Sequence, residues 1–318
     1  MKMRLNSLLP IIAVLCITII PLPTNAFHPL ITDDTGTQGK GNVEIEMAHQ
    51  YDYDRYKAWD RSVPKASIPD VAGLTALEEL FWPVWGKVHV REFMNQVSMT
   101  MAYGIVDPLD IIIGVPYIHS RAKEFRTFYL PDSGYQFLSQ SLSSTSSGMG
   151  DPLVEFKWNF FQYKGLSLAI KPGITIPIGN EDEGLGAGQF APYGYFIATF
   201  ELERFVTHLN LGYIRNQNNQ NERKDLWHAS LAMEFIILKD LLKFVANMGF
   251  ERNPSRRSNI QDAFILGGVV LSPSENCDLD LGFKYSIAPK GVESPGADYS
   301  VLAGLTARFV TPAAEEKK

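Results

Sequence analysis

Charged residues recur at alternate positions in several stretches of this chain. Glu155 and Lys157, for example, stand between Val154, Phe156 and Trp158. A period of two places the charges on one face of a β-strand and the apolar side chains on the other. Carboxylates and amines of both signs can line a polar pore or form a network of salt bridges, and the sequence leaves both possibilities open.

The same pattern assigns a larger set of charged residues to one inner face of a closed sheet. If the opposite face contacts lipid, Lys or Arg there would cost roughly 2–4 kcal/mol at mid-membrane, so the charges indicate which face points inward. We predict that these side chains line a lumen, where they contact solute or one another: Glu44, Glu46, Asp110, Glu155, Lys157, Lys171, Glu234, Lys243, Asp280, Lys284 and Arg308.

Residues that could support nucleophilic catalysis are present but poorly placed for it. His228, Ser230 and Glu234 share one strand face, but that face is the predicted lumen. His119 and Ser120 are adjacent in sequence, so in a β-strand their side chains point to opposite faces. The chain contains neither G-x-S-x-G nor H-E-x-x-H. We therefore predict no catalytic residues, and a hydrolase is the less favoured alternative.

Candidate metal and cofactor sites are equally weak. The Asp33-Asp34 pair could hold a cation, but a capped turn is favoured. The acidic run 181–183 lacks EF-hand spacing and is predicted to be a solvated loop. The glycines of 184–188 follow a strand but precede no helix, which argues against a phosphate-binding loop. We predict neither a metal nor a cofactor.

The elements that carry these residues are long strands. Apolar side chains occupy every second position of 166–178, and the turn 162–165 joins this segment to the strand before it. Soluble strands average about 5–6 residues, whereas a tilted membrane-spanning strand needs about 9–11. We predict an all-β fold, a transmembrane antiparallel β-barrel of about 12 strands with short periplasmic turns and long extracellular loops. A soluble β-sandwich is the alternative.

Twelve segments show this pattern, and short and long connections alternate between them. Two of the long loops are 54–92, with a short helix near 70–80, and 120–149, which is rich in serine. Aromatic residues near the strand ends, such as Tyr117, Tyr193 and Trp227, are typical of interfacial girdles. The predicted strands are 43–53, 93–103, 109–117, 154–160, 166–178, 193–201, 205–214, 226–236, 242–250, 263–271, 279–285 and 299–309.

The amino-terminal segment indicates secretion. Lys2 and Arg4 precede an apolar run, 8–20, which ends before Thr24-Asn25-Ala26. This is the pattern of a signal peptide cleaved near Ala26. The predicted organisation is a signal peptide (1–26), a periplasmic lead-in (27–41), the barrel (42–309) and a periplasmic tail (310–318). It places the protein in the outer membrane of a Gram-negative bacterium.

Composition limits the partners. Without residues 1–26 the chain has 27 basic and 35 acidic side chains, a net charge of −8 that does not favour nucleic acid. Cys277 is the one cysteine left after cleavage, which excludes an internal disulfide. Basic residues in the predicted outer loops could pair with lipopolysaccharide phosphates or be ordinary solvated charges: Arg121, Lys123, Arg126, Arg223, Lys224, Arg252, Arg256 and Arg257.

Four stretches carry a family resemblance: 28–46, 103–117, 148–158 with 172–186, and 299–309. Together they resemble the bacterial outer-membrane family named for the MetA pathway of phenol degradation. The lead-in motif Asp-Asp-x-Gly-Thr-x-Gly, beginning at Asp33, is the most specific element. The last strand also resembles a signal for the barrel assembly machinery, although nine residues follow Phe309.

The resemblance implies an outer-membrane transporter for small, aromatic or apolar solutes that diffuse passively through the barrel. The implied partners are outer-membrane lipid and lipopolysaccharide, the assembly machinery and a small-molecule solute. A structural or surface-interaction barrel with a closed lumen is the first alternative, and an outer-membrane hydrolase is the second.

Overall fold

The computed structural model describes residues 30–60, 85–129, 136–217, 222–254, 256, 261–288 and 297–311. The predicted signal peptide, the predicted helix near 70–80 and most of the carboxy-terminal tail lie outside these ranges. Among the described residues no helix is long and apolar enough to cross a membrane.

One continuous antiparallel sheet forms the wall, and it closes on itself where the first and last strands pair. The strands are β1 (Val43–Asp60), β2 (Trp85–Val106), β3 (Leu109–Tyr129), β4 (Gln136–Met149), β5 (Leu153–Tyr163), β6 (Leu166–Thr175), β7 (Ala191–Leu202), β8 (Phe205–Arg215), β9 (Asp225–Leu238), β10 (Leu242–Glu251), β11 (Asp262–Ser274), β12 (Cys277–Ser286) and β13 (Tyr299–Phe309). Twelve of them form a closed ring. Val43 of β1 lies opposite Phe309 of β13, which closes the barrel.

All twelve predicted strands are confirmed, with bounds that differ mainly at the outer ends. The turns between strands on the predicted periplasmic side are short, as expected. In the turn between β5 and β6, Lys164 and Gly165 both have positive φ angles, 46° and 81°. Two such residues define the two-residue turn whose twist matches that of an antiparallel hairpin.

The strand β4 corrects the prediction of a polar loop over 120–149. The strand pairs with the outer half of β3, from Tyr117 opposite Met149 to Tyr129 opposite Gln136. The inner half of β3 pairs instead with β5, from Leu109 to Gly114. The outer ends of β1 and β2 likewise extend into the predicted loop 54–92. These segments pair through backbone hydrogen bonds and have no continuous apolar face, so their sequence lacks the signal of a spanning strand.

The two faces of the wall differ in chemistry, as the alternation predicts. The outer face exposes large apolar side chains, among them Met47, Leu211 and Leu281. The inner face buries polar ones, among them Asp110, His208 and Thr306. All eleven charged residues predicted to line the lumen share the period of this inner face. A continuous apolar outer surface needs a nonpolar surrounding such as lipid.

Candidate functional site: a plugged lumen

The residues just before β1 lie inside the barrel. Near the end of β2, the backbone amide of Gly41 donates to the Gly104 carbonyl (2.7 Å). The backbone amide of Gly104 donates in turn to the Asn42 carbonyl (3.0 Å). From this point the chain continues into the lumen, and we call residues 30–41 the plug. The structure corrects the prediction of a periplasmic lead-in for the residues described, because several of their side chains are buried against the inner face of the wall: Leu30, Thr32, Asp34, Thr35 and Gln38.

Asp33 is the main electrostatic anchor of the plug. Its carboxylate accepts from Lys157 Nζ on β5 (2.9 Å) and from Lys171 Nζ on β6 (2.8 Å). Lys157 also lies 3.6 Å from Asp34, and Lys171 lies 3.4 Å from Glu155. Because most of this cluster is shielded from water, its attractions are screened less than those of a surface ion pair. The two oxygens of one carboxylate thus connect two neighbouring strands.

Short polar side chains hold the plug on both sides of Asp33. Asn247 accepts from the Ile31 backbone (2.9 Å) and donates to Thr32 Oγ1 (2.6 Å). The backbone amide of Thr35 donates to Thr199 Oγ1 (3.1 Å). The inner face thereby satisfies polar groups of a non-helical segment that is buried, as folded proteins require.

An apolar contact fixes the beginning of the plug. Leu30 is buried in a small cluster on the inner face of β9, β10, β11 and β13, which contains Ala232, Val245, Leu266, Val270 and Leu302. Burial of a leucine side chain contributes about 1.5–3 kcal/mol. The plug is therefore held by apolar packing at one end and by ion pairs in its middle.

Near the predicted periplasmic side, the plug joins the charges of the wall. The Gln38 backbone donates to Asp110 Oδ2 (2.9 Å), and its side chain donates to Glu44 Oε1 (3.1 Å). Arg308 donates to Glu44 Oε2 (3.0 Å) and also pairs with Asp278. Asp110, Glu44 and Arg308 were predicted as lumen residues, and the structure brings them together around Gln38.

The remaining predicted lumen residues lie elsewhere on the inner face. Lys243 pairs with Glu234 (3.3 Å) on the neighbouring strand. The Nζ atom of Lys284 lies 5.2 Å from the centroid of the Phe264 ring. Glu46 and Asp280 face inward, and Asp280 is buried. Of the two possibilities that the sequence left open, the described geometry is a network of paired charges, and contact with a solute stays a prediction.

His228 and Ser230, considered for catalysis, form part of a hydrogen-bonded chain. His228 Nε2 lies 2.8 Å from Ser230 Oγ, and His228 Nδ1 lies 2.8 Å from Glu251 Oε1. Thr32 Oγ1 of the plug in turn donates to Ser230 Oγ (2.7 Å). Ser230 is 3% exposed, so a substrate carbonyl has no room to approach its hydroxyl. In this arrangement the hydrogen-bonded series of Glu251, His228 and Ser230 anchors the plug.

Tyr193 was predicted to belong to the outer aromatic girdle, but the structure places its side chain on the inner face. Its ring packs over Gly173 on the inner face, and its hydroxyl donates to Glu155 Oε1 (2.9 Å). Gly173 is needed there because an added Cβ would overlap the ring. Tyr213 and Trp227 do lie together at the outer end of the wall, with ring centroids 4.8 Å apart.

The plug residues Thr32, Asp33, Thr35 and Gln38 were not predicted as site residues. Their motif was recognised as distinctive, but a segment without a period carries no sign of which surface it contacts. Within the described ranges, His, Cys, Asp and Glu form no group of three or more that could hold a metal ion. Asp33 and Asp34, which could have been a cation site, are directed at lysine instead.

A closed antiparallel ring with an apolar exterior and a charged interior defines the class: this is a transmembrane β-barrel. The chain belongs to the family described as "MetA-pathway of phenol degradation", whose model matches residues 109–309. That match covers β3 to β13 and leaves out the plug.

One solved structure supports the fold. An outer-membrane channel from Pseudomonas putida F1 is similar over 88% of this chain and 100% of its own, with 12% identity and a TM-score of 0.57. The Ralstonia pickettii toluene transporter TbuX matches over 86% of this chain and 90% of its own, with 7% identity and a TM-score of 0.45. No curated protein matches the chain in sequence. At such identities the likeness extends to the fold alone.

Proposed function

We propose that this protein is an outer-membrane channel for small solutes, with a lumen closed at rest by its own amino-terminal segment. The observation that carries the proposal is the plug, which is held by reversible polar contacts rather than by a covalent bond or a large core. Asp33, with its two lysine partners, is the contact whose loss would weaken plug binding most. The solutes are small, aromatic or apolar, and they diffuse passively.

The family and the neighbours support this proposal. The family description refers to phenol degradation, and the titles of the similar structures name an outer-membrane channel and a toluene transporter. By extension we place the chain in the outer membrane of a Gram-negative bacterium, after cleavage near Ala26. Its proposed partners are lipopolysaccharide, through basic residues of the outer strand ends, and the barrel assembly machinery.

The wall charges are the proposed solute-contacting groups once the plug leaves. Lys157 and Lys171 would then lose Asp33 and face the open lumen. We propose no catalytic role for the chain, because the buried Ser230 hydroxyl is enclosed by the plug. The same plug favours a second candidate function, a structural barrel with a permanently closed lumen.

Conductance in planar bilayers separates the two candidates. The mature chain and the variant Asp33→Asn are each inserted and recorded at equal protein concentration. A hydrogen bond to a charged group contributes about 1.5–3 kcal/mol, so we expect the open fraction to rise roughly 10- to 100-fold when Asp33 is neutralised. The matched control is Asp182→Asn, at an exposed position of the loop after β6, which should behave like the parent.

A lack of current in the weakened or shortened variants would contradict the channel proposal. If neither Asp33→Asn nor a chain lacking residues 30–40 passes current after verified insertion, the channel proposal fails. The structural barrel would then be the better explanation.

A further inference from the structure

The outer ends of β1, β2 and β3 extend beyond the ring that closes the barrel. The strand β1 pairs with β13 as far as Tyr53, whereas its pairing with β2 continues to Asp60. The strand β2 in turn pairs with β3 out to Trp85, which lies opposite Tyr129. We call residues 54–60, 85–92 and 121–129 the outer sheet. It stands at the end of the barrel opposite to the short turns.

The outer sheet separates its charges by face. Residues that lie opposite each other in an antiparallel ladder share a face, so the register assigns each side chain to one side. Asp54, Glu92 and Glu124 belong to the inward face. In the described residues of the outer sheet, the face that continues the lipid-facing period carries no acidic residue. We call it the basic face, and its Lys and Arg residues are Arg55, Lys57, Lys87, Arg91, Arg121 and Lys123.

Three residues of the basic face form a row across the strands. Arg55 of β1 lies opposite Arg91 of β2, which lies opposite Lys123 of β3. Directly opposite side chains have Cβ atoms about 4.5–5.5 Å apart, a distance at which like charges are destabilising. Among the residues that the structure describes, no carboxylate forms an ion pair with this row. A bound anion would therefore offset the repulsion along it.

His89 shows that charges from neighbouring strands act at one place. It lies opposite Lys57, one outward-facing position beyond the row. Its partial burial and the charges of Lys57, Lys87 and Arg91 lower the pKa of its imidazole. Because these lysine and arginine side chains come from two strands, the basic face forms a single positive region outside the ring of the barrel.

The register also divides the basic residues that the sequence assigned to the outer loops. Arg121 and Lys123 belong to the basic face, whereas Arg126 belongs to the inward face and pairs with Glu124 there. Arg121 and Lys123 are thus the two of these three residues that face the surrounding lipid.

Aromatic side chains mark the position of the basic face relative to the membrane. The ring centroid of Tyr53 lies 5.3 Å from that of Phe93 and 5.2 Å from that of Tyr299. Nearer the middle of the barrel, the same face exposes apolar side chains such as Val97. Aromatic residues of this kind lie at the level of the lipid headgroups. Arg55 follows Tyr53 by one outward-facing position, about 7 Å along the strand, so the row stands at the height of headgroup phosphates.

We propose that the basic face of the outer sheet binds the phosphate groups of lipopolysaccharide, with the row Arg55, Arg91 and Lys123 at the centre of the site. This inference rests on the proposed function, which places the chain in the outer membrane, and it specifies where that partner binds.

Lipopolysaccharide fits this surface better than other anions do. Its acyl chains would cover the apolar face below the aromatic rings, and its headgroup, which carries more than one phosphate, would meet basic residues from three strands. The guanidinium groups of Arg55 and Arg91 each offer forked N–H donors that match phosphate oxygens. A soluble anion would gain nothing from the apolar surface beneath the row.

The test measures how fluorescently labelled lipopolysaccharide binds to the purified mature chain in detergent, by anisotropy, with EDTA present to remove divalent cations. The row variant combines Arg55→Gln, Arg91→Gln and Lys123→Gln. It should bind at least tenfold more weakly than the parent, because it loses charge-assisted hydrogen bonds. Lipopolysaccharide stripped of its phosphates should bind the parent with a similar loss. Heat-dependent gel migration checks that each chain is folded.

Single replacements keep the test decisive if the row variant does not fold. Arg91→Gln should weaken binding roughly threefold or more, whereas Arg91→Lys, which keeps the charge, should stay closer to the parent. Binding that is the same in the parent and in Arg91→Gln would count against the site.

The matched control removes the same amount of charge at the opposite end of the barrel. Lys164→Gln, Arg204→Gln and Lys239→Gln alter exposed residues of three short turns. This variant should bind lipopolysaccharide within about twofold of the parent. If the row variant and the control bind alike, the row does not hold the phosphates and the proposal is wrong.

Competition separates lipopolysaccharide from other sources of phosphate. Phosphatidylglycerol, which carries a single phosphate, should displace the labelled ligand at least tenfold less effectively than unlabelled lipopolysaccharide does. Millimolar inorganic phosphate should not displace it. Equal displacement by phosphatidylglycerol would show a general preference for anionic lipid and would overturn the proposal.

Failure of the proposed function itself has a different signature. In that case Asp33→Asn passes no current in bilayers, yet the difference in binding between the row variant and its control remains. A chain that conducts ions after Asp33→Asn, but binds lipopolysaccharide equally well with and without the row, refutes the binding site alone.

Discussion

At the scale of single residues, the lumen is organised by a few side chains that serve two elements at once. Asp33 connects the plug to two strands, and Ser230 connects the plug to the chain from Glu251 through His228. A wall charge such as Lys157 therefore has a partner that is close in space but more than a hundred positions away in sequence. Such pairs depend on the closed barrel, which brings distant positions of the chain together.

Gly104 is the residue at which the plug enters, and its lack of a side chain is essential. A Cβ at this position would overlap the Gly39 carbonyl. We expect Gly104→Ala to lower the free energy of unfolding in urea by about 1–3 kcal/mol, because a backbone contact cannot yield as a flexible side chain can.

The control for this prediction is Gly267→Ala on β11. An added Cβ there has nothing within 4 Å, so its effect should be small. Equal stability losses in the two variants would show that close approach at Gly104 does not matter.

At the scale of elements, β3 performs two tasks along its length. Its inner half pairs with β2 and β5 in the closed ring, and its outer half pairs with β2 and β4 beyond it. Among the strands that the structure describes, β4 has β3 as its one neighbour. It therefore extends the wall outward without taking part in closure.

Trimming this outer hairpin tests that division. Ala122 lies opposite Ser144, so a two-residue Asn-Gly turn can replace residues 123–143. We expect the shortened chain to fold and to show the heat-dependent gel migration of a closed barrel, because β3 keeps its pairing with β5 and its pairing with β2 as far as Ala122. Loss of folded protein would mean that β4 is required for closure.

At the scale of the whole molecule, the barrel and the plug are separable. The ring is closed by the backbone ladder between β1 and β13, from Val43 to Tyr53, and no plug residue takes part in it. The plug adds stability through its own contacts. Its removal leaves Lys157 and Lys171 in the lumen without Asp33.

Deletion of residues 30–40 should therefore yield a folded but less stable barrel. We expect a loss of about 3–5 kcal/mol in the free energy of unfolding, the range seen when one partner of a buried ion pair is removed. The measurement is urea unfolding in lipid vesicles, followed by tryptophan fluorescence. An unchanged free energy would mean that the plug contacts contribute no net stability.

The amino-acid sequence determined the wall of this protein. Alternation with a period of two requires only a strand with two different surroundings, so it predicted the twelve spanning strands, their inward charges and the short turns. Lys157 and Lys171 were placed correctly on the inner face for this reason. The long outer pairing of β3 with β4 was missed because strands outside the membrane need no apolar face.

Only the tertiary structure decided what fills the lumen. The plug has no regular hydrogen-bonding pattern of its own, and its groups are satisfied by side chains from strands across the barrel. Those partners are neighbours only in the closed sheet, so no local pattern in the sequence predicts them. The interrupted pairing between β5 and β6 likewise depends on the tertiary structure, since Pro172 fits the alternation of β6 and the ladder is broken only on the side where β5 lies beside it.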